Sequence, residues 1–328
     1  MNYARYLHTA SVLTNGSVLV VGGWNGINYL NSAELYDPIT GSWTITGNLN
    51  YARYMHTASV LIDGTVLVAG GSNGSYNPDS AEIYDPSTGS WAITGNLNYA
   101  RSSHTASVLT DGKVLITGGS GSFGLLNSAE IYDPSTGSWI TTGNLNHARL
   151  KHRASVLADG KVLITGGGNN SVHYLNSAEL YDSSAGNWTF TSNLNYARYG
   201  HTASVLKNGK VLVTGGLGSG FQSSSELYEP LTGTWSNTGN LNSPRYEHTA
   251  TLLIDGKLLV AGGSVNGFIP GNSAEIYDPS TGSWITTSSL NYARSSHTAS
   301  ILTDGRVIIA GGWTGDNYTN SAEVFRIP

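Results

Sequence analysis

The chain consists of seven copies of one sequence pattern, and this repetition constrains the fold more than any local motif does. The copies share one skeleton, A-R-x-x-H-T-A-S-V-L, D-G-K-V-L, G-G, S-A-E-L-Y-D-P and G-S-W in this order, with substitutions at single positions, and the seventh copy ends before G-S-W. The histidines of the pattern recur every 47 to 49 residues, at His8, His56, His104, His152, His201, His248 and His297. A unit of this length cannot bury its apolar face alone, so neighbouring copies must pack on one another. We therefore expect one domain that spans residues 1–328.

Composition narrows the classes of partner. Only 11% of the residues are charged, the formal net charge is -5, and no Lys/Arg cluster could follow a phosphate backbone, so we expect no nucleic acid. The apolar runs of about four to six residues are too short to cross a bilayer as helices. No cysteine is present, which excludes disulfides and thiolate metal sites. Five glycosylation sequons would permit an extracellular location, which the sequence otherwise leaves undecided.

Every local signal within a copy predicts β-structure. In copy one, residues 8–13 and 17–21 are apolar-rich segments joined through Asn15-Gly16, and later copies have Asp-Gly or Asn-Gly there. This pair predicts a two-residue type I′ turn between two antiparallel strands, A and B. Strand C covers residues 33–36, and D-P-x-x-G predicts a turn into strand D around Trp43. Strands B and C are apolar at successive positions, as expected for a sheet covered on both faces.

Side-chain size predicts how these sheets are arranged. Sheets that radiate from an axis are crowded near it and splay apart further out. The small residues Thr-Ala-Ser therefore place strand A innermost, and the tryptophans place strand D outermost, where a large side chain fills the wedge. These tryptophans are Trp43, Trp91, Trp139, Trp188, Trp235 and Trp284. We interpret them as core residues, with stacking on a sugar as the alternative.

The G-G that closes strand B, the Y-D of strand C and the W of strand D, at this spacing, resemble the kelch motif; the match extends over all seven copies, with a departure in the seventh. The resemblance implies an all-β fold, a seven-bladed β-propeller of kelch repeats like the central domain of galactose oxidase. The expected blades are residues 1–49, 50–97, 98–145, 146–194, 195–241, 242–290 and 291–328. The seventh copy ends without a strand D. We expect a three-stranded last blade in a chain taken from a longer array or shortened, with Arg326 and Pro328 discouraging edge pairing.

The copies differ on one face. Alternating strand directions put the D-to-A joints and the B-to-C loops on the same side, and all differences in length fall in the B-to-C loops. The two residues that follow each repeated arginine also vary. Loops held by a rigid scaffold are where binding groups concentrate, so we expect the ligand there.

The candidate rim is rich in aromatic side chains. Trp24 and Trp313 follow G-G in copies one and seven, which become neighbours when the ring closes, while the other copies have Ser, Gly or Leu there. Four tyrosines follow the repeated arginines, at Tyr6, Tyr54, Tyr199 and Tyr246. Together they would form stacking platforms for a sugar or a peptide. The alternative is that the two tryptophans pack against their own loops at the seam.

Seven arginines precede strand A on this face, at Arg5, Arg53, Arg101, Arg149, Arg198, Arg245 and Arg294. Resemblance to kelch propellers that capture acidic peptides implies that arginines at this joint contact ligand, since a guanidinium holds a carboxylate with two hydrogen bonds. Each copy also contains one glutamate in strand C, from Glu34 to Glu323. Seven arginines with seven glutamates equally predict internal ion pairs.

One histidine per blade does not predict a metal site. Packed sheets are about 10 Å apart, whereas zinc ligands lie about 2 Å from the ion. We expect each neutral imidazole to tie its loop to the backbone of the next blade. Galactose oxidase carries copper beside a tyrosine linked to cysteine, and this chain has no cysteine to form that group.

These observations predict a non-catalytic interaction module, a monomer without cofactor or metal, that binds a protein, peptide or glycan on the variable face. Two alternatives stay open. A scaffold or recently duplicated array without ligand is consistent with the match between residues 127–142 and 272–287. A kelch-type carbohydrate-active enzyme is the second alternative, and its site would be sought first in copy four, which is the most divergent and contains His147, Lys151, Arg153 and His173.

Overall fold

The structure is a computed structural model that describes residues 1–170 and 173–326. Seven antiparallel sheets surround one axis as the blades of a β-propeller, and strands A to D of each blade follow one another outward. Apart from a single 3-10 turn at Asn266–Phe268, the described residues contain no helix.

Blade 1 contains β1 (Thr9–Val12), β2 (Val18–Val21), β3 (Ala33–Asp37) and β4 (Ser42–Ile45). Blade 2 contains β5 (Thr57–Val60), β6 (Val66–Ala69), β7 (Ala81–Asp85) and β8 (Ser90–Ile93). Blade 3 contains β9 (Thr105–Val108), β10 (Val114–Thr117), β13 (Ala129–Asp133) and β14 (Ser138–Thr142), with the loop hairpin β11 (Ser120–Gly121) and β12 (Gly124–Leu125). Blade 4 contains β15 (Arg153–Val156), β16 (Val162–Thr165), β19 (Ala178–Asp182) and β20 (Asn187–Phe190), with the loop strands β17 (Gly168–Asn170) and β18 (His173–Tyr174).

Blade 5 contains β21 (Thr202–Val205), β22 (Val211–Thr214), β23 (Ser225–Glu229) and β24 (Thr234–Asn237). Blade 6 contains β25 (Thr249–Leu252), β26 (Leu258–Ala261), β27 (Ala274–Asp278) and β28 (Ser283–Thr286). Blade 7 contains only β29 (Thr298–Ile301), β30 (Val307–Ala310) and β31 (Ala322–Phe325) among the described residues. The three-stranded last blade is as predicted, while Pro328 lies outside the described residues.

Residue size sets the radial order, as predicted. The A strands contact one another around the axis, and β1 contacts both β5 of blade 2 and β29 of blade 7, so the ring is closed. Every B strand is buried along its whole length because neighbouring blades cover both of its faces. These contacts bury one apolar core between each pair of adjacent blades.

The outer tryptophans close each wedge. Trp139, Trp188 and Trp284 are buried, and Trp43, Trp91 and Trp235 are half-buried. In blades 2 to 6 the indole N–H donates to a carbonyl just after strand D of the preceding blade, at 2.8–2.9 Å. In these blades the tryptophan therefore binds its blade to the preceding one, in agreement with the interpretation of the tryptophans as core residues.

The A-to-B turns differ from the prediction in type. In blade 1 the Gly16 N–H donates to the Leu13 carbonyl at 2.9 Å, and Leu13 N–H donates to the Ser17 carbonyl at 2.8 Å. Of the two turn residues Asn15 and Gly16, only Gly16 has a positive φ, of 83°. The connection is thus a type I turn followed by a left-handed glycine, and the predicted type I′ turn is wrong because it requires two positive φ angles.

The two faces of the disc have different loops. The A-to-B and C-to-D turns share one face, named here the turn face, where Lys113 pairs with Asp133 at 3.1 Å and Lys257 pairs with Asp278 at 3.6 Å. The D-to-A joints and B-to-C loops share the other, named the joint face, where Arg53 N–H donates to the Leu30 carbonyl at 3.1 Å. Within residues 1–170 and 173–326, no helix is long and apolar enough to span a membrane.

Candidate ligand-binding face

A closed ring of backbone hydrogen bonds surrounds the axis on the joint face. Its members stand two residues after each repeated arginine, and we name them the mouth ring. They are Leu7, Met55, Ser103, Lys151, Gly200, Glu247 and Ser296. Each N–H donates to the carbonyl of the member in the preceding blade, at 3.0–3.4 Å, and Leu7 N–H closes the circle on Ser296.

All seven mouth-ring residues have a left-handed backbone, with φ between 47° and 61°. Six of them are not glycine, and this conformation costs an L-residue roughly 1 kcal/mol or more. The hydrogen bonds to both neighbours hold the ring in this state. Because the backbone groups are engaged along the circle, the side chains are left to line the mouth of the central channel, a cavity of about 220 Å³.

The mouth is apolar on one side and charged on the other. Leu7 and Met55 line the side of blades 1 and 2, whereas Lys151 and Glu247 line the side of blades 4 and 6. The Lys151 ammonium is paired with the Glu247 carboxylate. Tyr246 hydroxyl donates to the same carboxylate at 2.9 Å, and the Ser296 hydroxyl donates to it as well. Seven equivalent blades thus carry one asymmetric polar network.

The network keeps its charges in spite of burial. Burial raises the pKa of Glu247, but the Lys151 ammonium and the hydrogen bonds from Ser296 and Tyr246 outweigh it and hold the pKa below its ordinary value. Burial lowers the pKa of Lys151, and the Glu247 carboxylate reverses this effect, so the pKa of Lys151 is raised. The pair is ionised at neutral pH.

Arg153 adds a second cation to the mouth. It occupies the position of the first strand-A threonine in the other blades, and its Nε donates to the His201 carbonyl at 2.6 Å. His201 accordingly pairs with Thr165 at 3.0 Å instead. Lys151 and Arg153 against Glu247 leave one net positive charge at the mouth, and both cations come from blade 4.

The repeated histidines form the floor of the mouth. Each Nε2 lies 2.9–3.1 Å from a threonine hydroxyl of the preceding blade. Burial lowers the pKa of His104 and of His297 to about 3, so these imidazoles are neutral. We expected each imidazole to bind the backbone of the next blade, and this is corrected: its partner is a threonine hydroxyl of the preceding blade. His147 and His173 lie away from this floor.

The seven arginines are buried, and the expectation that they line the rim is corrected. All have no exposed surface, and each guanidinium pairs with the strand-C glutamate of its own blade at 2.6–3.1 Å. Arg5, for example, also donates to the carbonyls of Gly22 and Ser32, at 2.7 and 2.9 Å. The arginines hold the B-to-C loops to the blades and have no surface to offer a ligand. The structure agrees with the alternative prediction, in which each arginine forms an internal ion pair with a glutamate.

Aromatic side chains form two clusters on the joint face. The seam cluster contains Tyr6, Trp24, Tyr29, Tyr54 and Tyr318, with neighbouring ring centroids 4.7–6.2 Å apart. The groove cluster contains Tyr174, Tyr199, Phe221, Tyr246 and Phe268, with neighbouring centroids 5.1–6.5 Å apart. Five of the six predicted aromatic residues therefore fall into two groups on either side of the mouth.

At the seam between blades 1 and 7, the aromatic partner of Trp24 is not Trp313, its predicted neighbour. Trp24 packs against Tyr29 of its own loop and Tyr318 of blade 7, and no aromatic contact joins it to Trp313 among the described residues. Trp313 instead pairs through its backbone with Ser295 and Tyr318. Trp24 and Trp313 are both half-buried. Contacts within the seam therefore cover a good part of the surface of both tryptophan side chains.

The groove cluster lines a cavity of about 580 Å³ beside the mouth. Tyr199 and Tyr246 are stacked at 5.8 Å with their planes 10° apart, and Lys151 lies 5.4 and 5.6 Å from their ring centroids. Tyr174 and Phe268 complete the aromatic lining, which Leu150 and Leu217 extend. Through Lys151 the groove is continuous with the charged side of the mouth.

Sequence reasoning missed two of the five residues of the seam cluster and three of the five residues of the groove cluster. Tyr29, Tyr174, Phe221, Phe268 and Tyr318 all lie in B-to-C loops. The varying length of these loops marked the segment as variable, but it also prevents alignment of single positions between copies. A count of aromatic residues per B-to-C loop would not have separated them, because every loop contains at least one, including Tyr76 in blade 2 and Phe123 in blade 3.

Comparisons with known proteins agree with this architecture. A model of the KLHDC2/KLHL20/DRC7 Kelch-repeats domain matches residues 7–216, and a Kelch motif model matches residues 245–291. A search of curated protein sequences gives no match. Among solved structures, "Novel fungal alcohol oxidase with catalytic diversity among the AA5 family, in complex with copper" is similar with a TM-score of 0.83 and 20% identity, over 99% of this chain and 74% of that chain. "Structure of YjhT" is similar with a TM-score of 0.70 and 16% identity, over 88% and 99%.

These identities establish a shared fold and nothing further. The copper of the alcohol oxidase finds no matching ligand set here, because residues 1–170 and 173–326 contain no group of three His, Cys, Asp or Glu side chains that could hold a metal ion. With seven blades in a closed ring and a family model that covers 210 of 328 residues, from 7 to 216, the chain belongs to the kelch-repeat propeller family.

Proposed function

We propose that the protein is a non-catalytic binding module that recognises a peptide or a glycan on its joint face. Kelch propellers are generally interaction modules, and the site follows from where this one breaks its own symmetry. The single observation that carries the proposal is the stacked pair Tyr199 and Tyr246, which joins an aromatic groove to a charged mouth. On the turn face the same short A-to-B turn recurs in all seven blades, and a short C-to-D turn recurs in blades 1 to 6.

The groove and the mouth offer complementary chemistry. The groove cluster provides flat apolar surfaces for an aromatic or aliphatic side chain or for the face of a sugar ring. The mouth provides the Lys151 ammonium, the Glu247 carboxylate and the Ser296 hydroxyl for polar groups a few ångströms away. With the repeated arginines buried, recognition of acid groups would depend on Lys151 and Arg153.

Arrays of glycans and of peptides, probed with the whole protein, test the proposal. We expect hits that weaken at least tenfold, about 1.4 kcal/mol, when Tyr199→Ala removes half of the stacked pair. Trp24→Ala tests the seam cluster in the same way. Leu231→Ser is the matched control, because Leu231 is 94% exposed on the turn face.

The outcomes separate the alternatives. Glycan hits that depend on Tyr199 or Trp24 support sugar stacking, and peptide hits that depend on Lys151 support an acid-containing segment. Hits that survive Tyr199→Ala and Trp24→Ala but not Leu231→Ser would place the site on the turn face and refute the proposal. A blank array favours a scaffold, and turnover of a hit favours an enzyme.

A further inference from the structure

The side chain of Arg153 is a cation that no carboxylate of the described residues neutralises directly. The guanidinium is half-buried at the mouth, and its Nε donates to the His201 carbonyl at 2.6 Å. This is its only hydrogen bond within residues 1–170 and 173–326, and no carboxylate oxygen of these residues lies within 4 Å of its terminal nitrogens. A cation that is partly removed from water without a partner is unfavourable, because nothing replaces the lost hydration.

The acid at the mouth is already engaged. Among the described residues that line the mouth, Glu247 is the only one with a carboxylate. The Lys151 ammonium and the Tyr246 hydroxyl donate to its Oε1, and the Ser296 hydroxyl donates to its Oε2. Because Lys151 balances the negative charge of Glu247, the unbalanced positive charge of the mouth is that of Arg153.

Strand A does not need an arginine at this position. β15 has the same burial pattern as β1, and Arg153 is paired with Thr165 of β16 in the register in which Thr9 is paired with Val21 of β2. The other six blades have threonine here, at Thr9, Thr57, Thr105, Thr202, Thr249 and Thr298. The arginine therefore adds a charge to the mouth and changes nothing in the backbone pairing of its blade.

The guanidinium is fixed with both of its terminal nitrogens available. Because Nε is bound to the His201 carbonyl, Nη1 and Nη2 remain as a fork of N–H donors, which suits two oxygens of one planar anion. Leu7 and Met55 line the apolar side of the same mouth. Apolar walls reduce screening by water, so an ion pair here is stronger than the same pair on an open surface.

The volume and the charge of the mouth define the anion that fits. The cavity measures about 220 Å³, less than the roughly 300–1,000 Å³ of pockets that hold drug-sized ligands, so the anion is small. A monovalent anion balances the net positive charge, whereas a dianion is repelled more strongly by the nearby Glu247.

We propose that the mouth binds a free, small, planar and monovalent oxoanion, such as a short carboxylate, on the Arg153 guanidinium. This site does not require the peptide or glycan of the proposed function.

Isothermal titration calorimetry of the whole protein with acetate, in a buffer without other small anions, tests the proposal. We expect saturable binding of one acetate per chain. Nitrate is also planar and monovalent, so it should compete with acetate. Acetamide is the matched ligand control, because it has the shape of acetate without the charge, and it should not bind.

Two protein variants locate the site. Arg153→Thr restores the residue of the other six blades, so it should keep the Tm of the wild type, and it should weaken acetate at least tenfold because the fork of donors is lost. Lys161→Thr is the matched control. It also removes one positive charge from blade 4, but on the turn face, where Lys161 lies 3.5 Å from Asp159, and it should leave the affinity unchanged.

The outcomes separate this site from the groove. Acetate that does not bind saturably, acetamide that binds equally well, or equal affinities of the two variants would overturn the proposal. An array ligand that is lost in Arg153→Thr, when free acetate does not bind the wild type, would assign the guanidinium to an acid group of that larger ligand and would also overturn it. The groove is tested separately by Tyr199→Ala, so failure of the anion site leaves the proposed function standing.

Discussion

Phe325 is the one member of its repeat position without a hydroxyl. In the other copies this residue is tyrosine, and in blades 2 to 6 its hydroxyl pairs with a threonine of the preceding blade at 2.7–2.8 Å. The Thr287 hydroxyl, which faces blade 7, is buried and has no partner. We predict that Phe325→Tyr raises the free energy of unfolding by about 1 kcal/mol and that Tyr84→Phe lowers it by about as much.

Urea denaturation of the two variants measures both changes in the free energy of unfolding. The slope of that free energy against urea concentration should be the same as in the wild type. Tyr84→Phe is the control for the sign, because it removes from blade 2 the bond that Phe325→Tyr adds to blade 7. A loss of stability in Phe325→Tyr would contradict this account of the Thr287 hydroxyl.

At the residue scale, the sequence predicted which side chains repeat but not what they contact. An arginine before strand A and a glutamate in strand C predicted both a ligand site and an internal pair. Burial decides between the two, and burial depends on how the neighbouring blade covers the loop. Lys151 and Glu247 are 96 positions apart in different copies, so no local pattern could predict their pairing.

At the scale of the element, the mouth ring makes the next prediction. Ser103 has a φ of 55°, in a region where β-branched residues are strained. We predict that Ser103→Val lowers the free energy of unfolding by about 1–2 kcal/mol, whereas Ser103→Gly changes it by less than about 0.5 kcal/mol. Thermal unfolding checks both variants. Equal stability of the two would mean that the backbone of the ring is not strained.

The strands were predictable to within one residue because the apolar runs and the Asp-Gly or Asn-Gly pair recur in all seven copies, and a turn that ends in glycine follows strand C in blades 1 to 6. The turn type and the mouth ring were not. At the level of sequence, an Asn-Gly or Asp-Gly pair is compatible with a type I′ turn and with a type I turn followed by a left-handed glycine. Six of seven ring positions are not glycine, so nothing in the residue types signals their positive φ. The positive φ is imposed by the closed circle of hydrogen bonds between neighbouring blades, which no single copy contains.

At the scale of the whole molecule, buried neutral histidines predict acid sensitivity. Burial lowers the pKa of His104 and His297 to about 3 from the ordinary 6.5, and the pKa of the other five repeated histidines is also lowered. The unfolded chain thus binds more protons between about pH 6.5 and 3, and stability is lost as the pH falls through this range. We predict that Tm falls by roughly 5 °C or more between pH 7 and pH 5.

Scanning calorimetry at several pH values measures this change. The paired carboxylates Glu34 and Glu247 have pKa values below their ordinary range, so they stay ionised over this interval and add little. A Tm that is constant from pH 7 to pH 5 would show that the histidines are accessible to protons in the folded ring.

The closed ring itself followed from the repeat, since seven wedges of one size can bury both faces of every blade only around an axis. The asymmetry of the joint face could not be predicted from the repeat, because it arises from contacts between loops of different copies. The two aromatic clusters and the charged mouth therefore carry what is particular to this chain, and the shared blades hold them in place.

Hydrogen–deuterium exchange with the strongest array ligand bound tests most directly whether the joint face is the binding face. We predict slower exchange in the joints and B-to-C loops of blades 4 to 6, including the amides of Lys151, Gly200 and Glu247, with the turn face unchanged. Protection confined to the A-to-B and C-to-D turns, with the mouth ring unaffected, would contradict it.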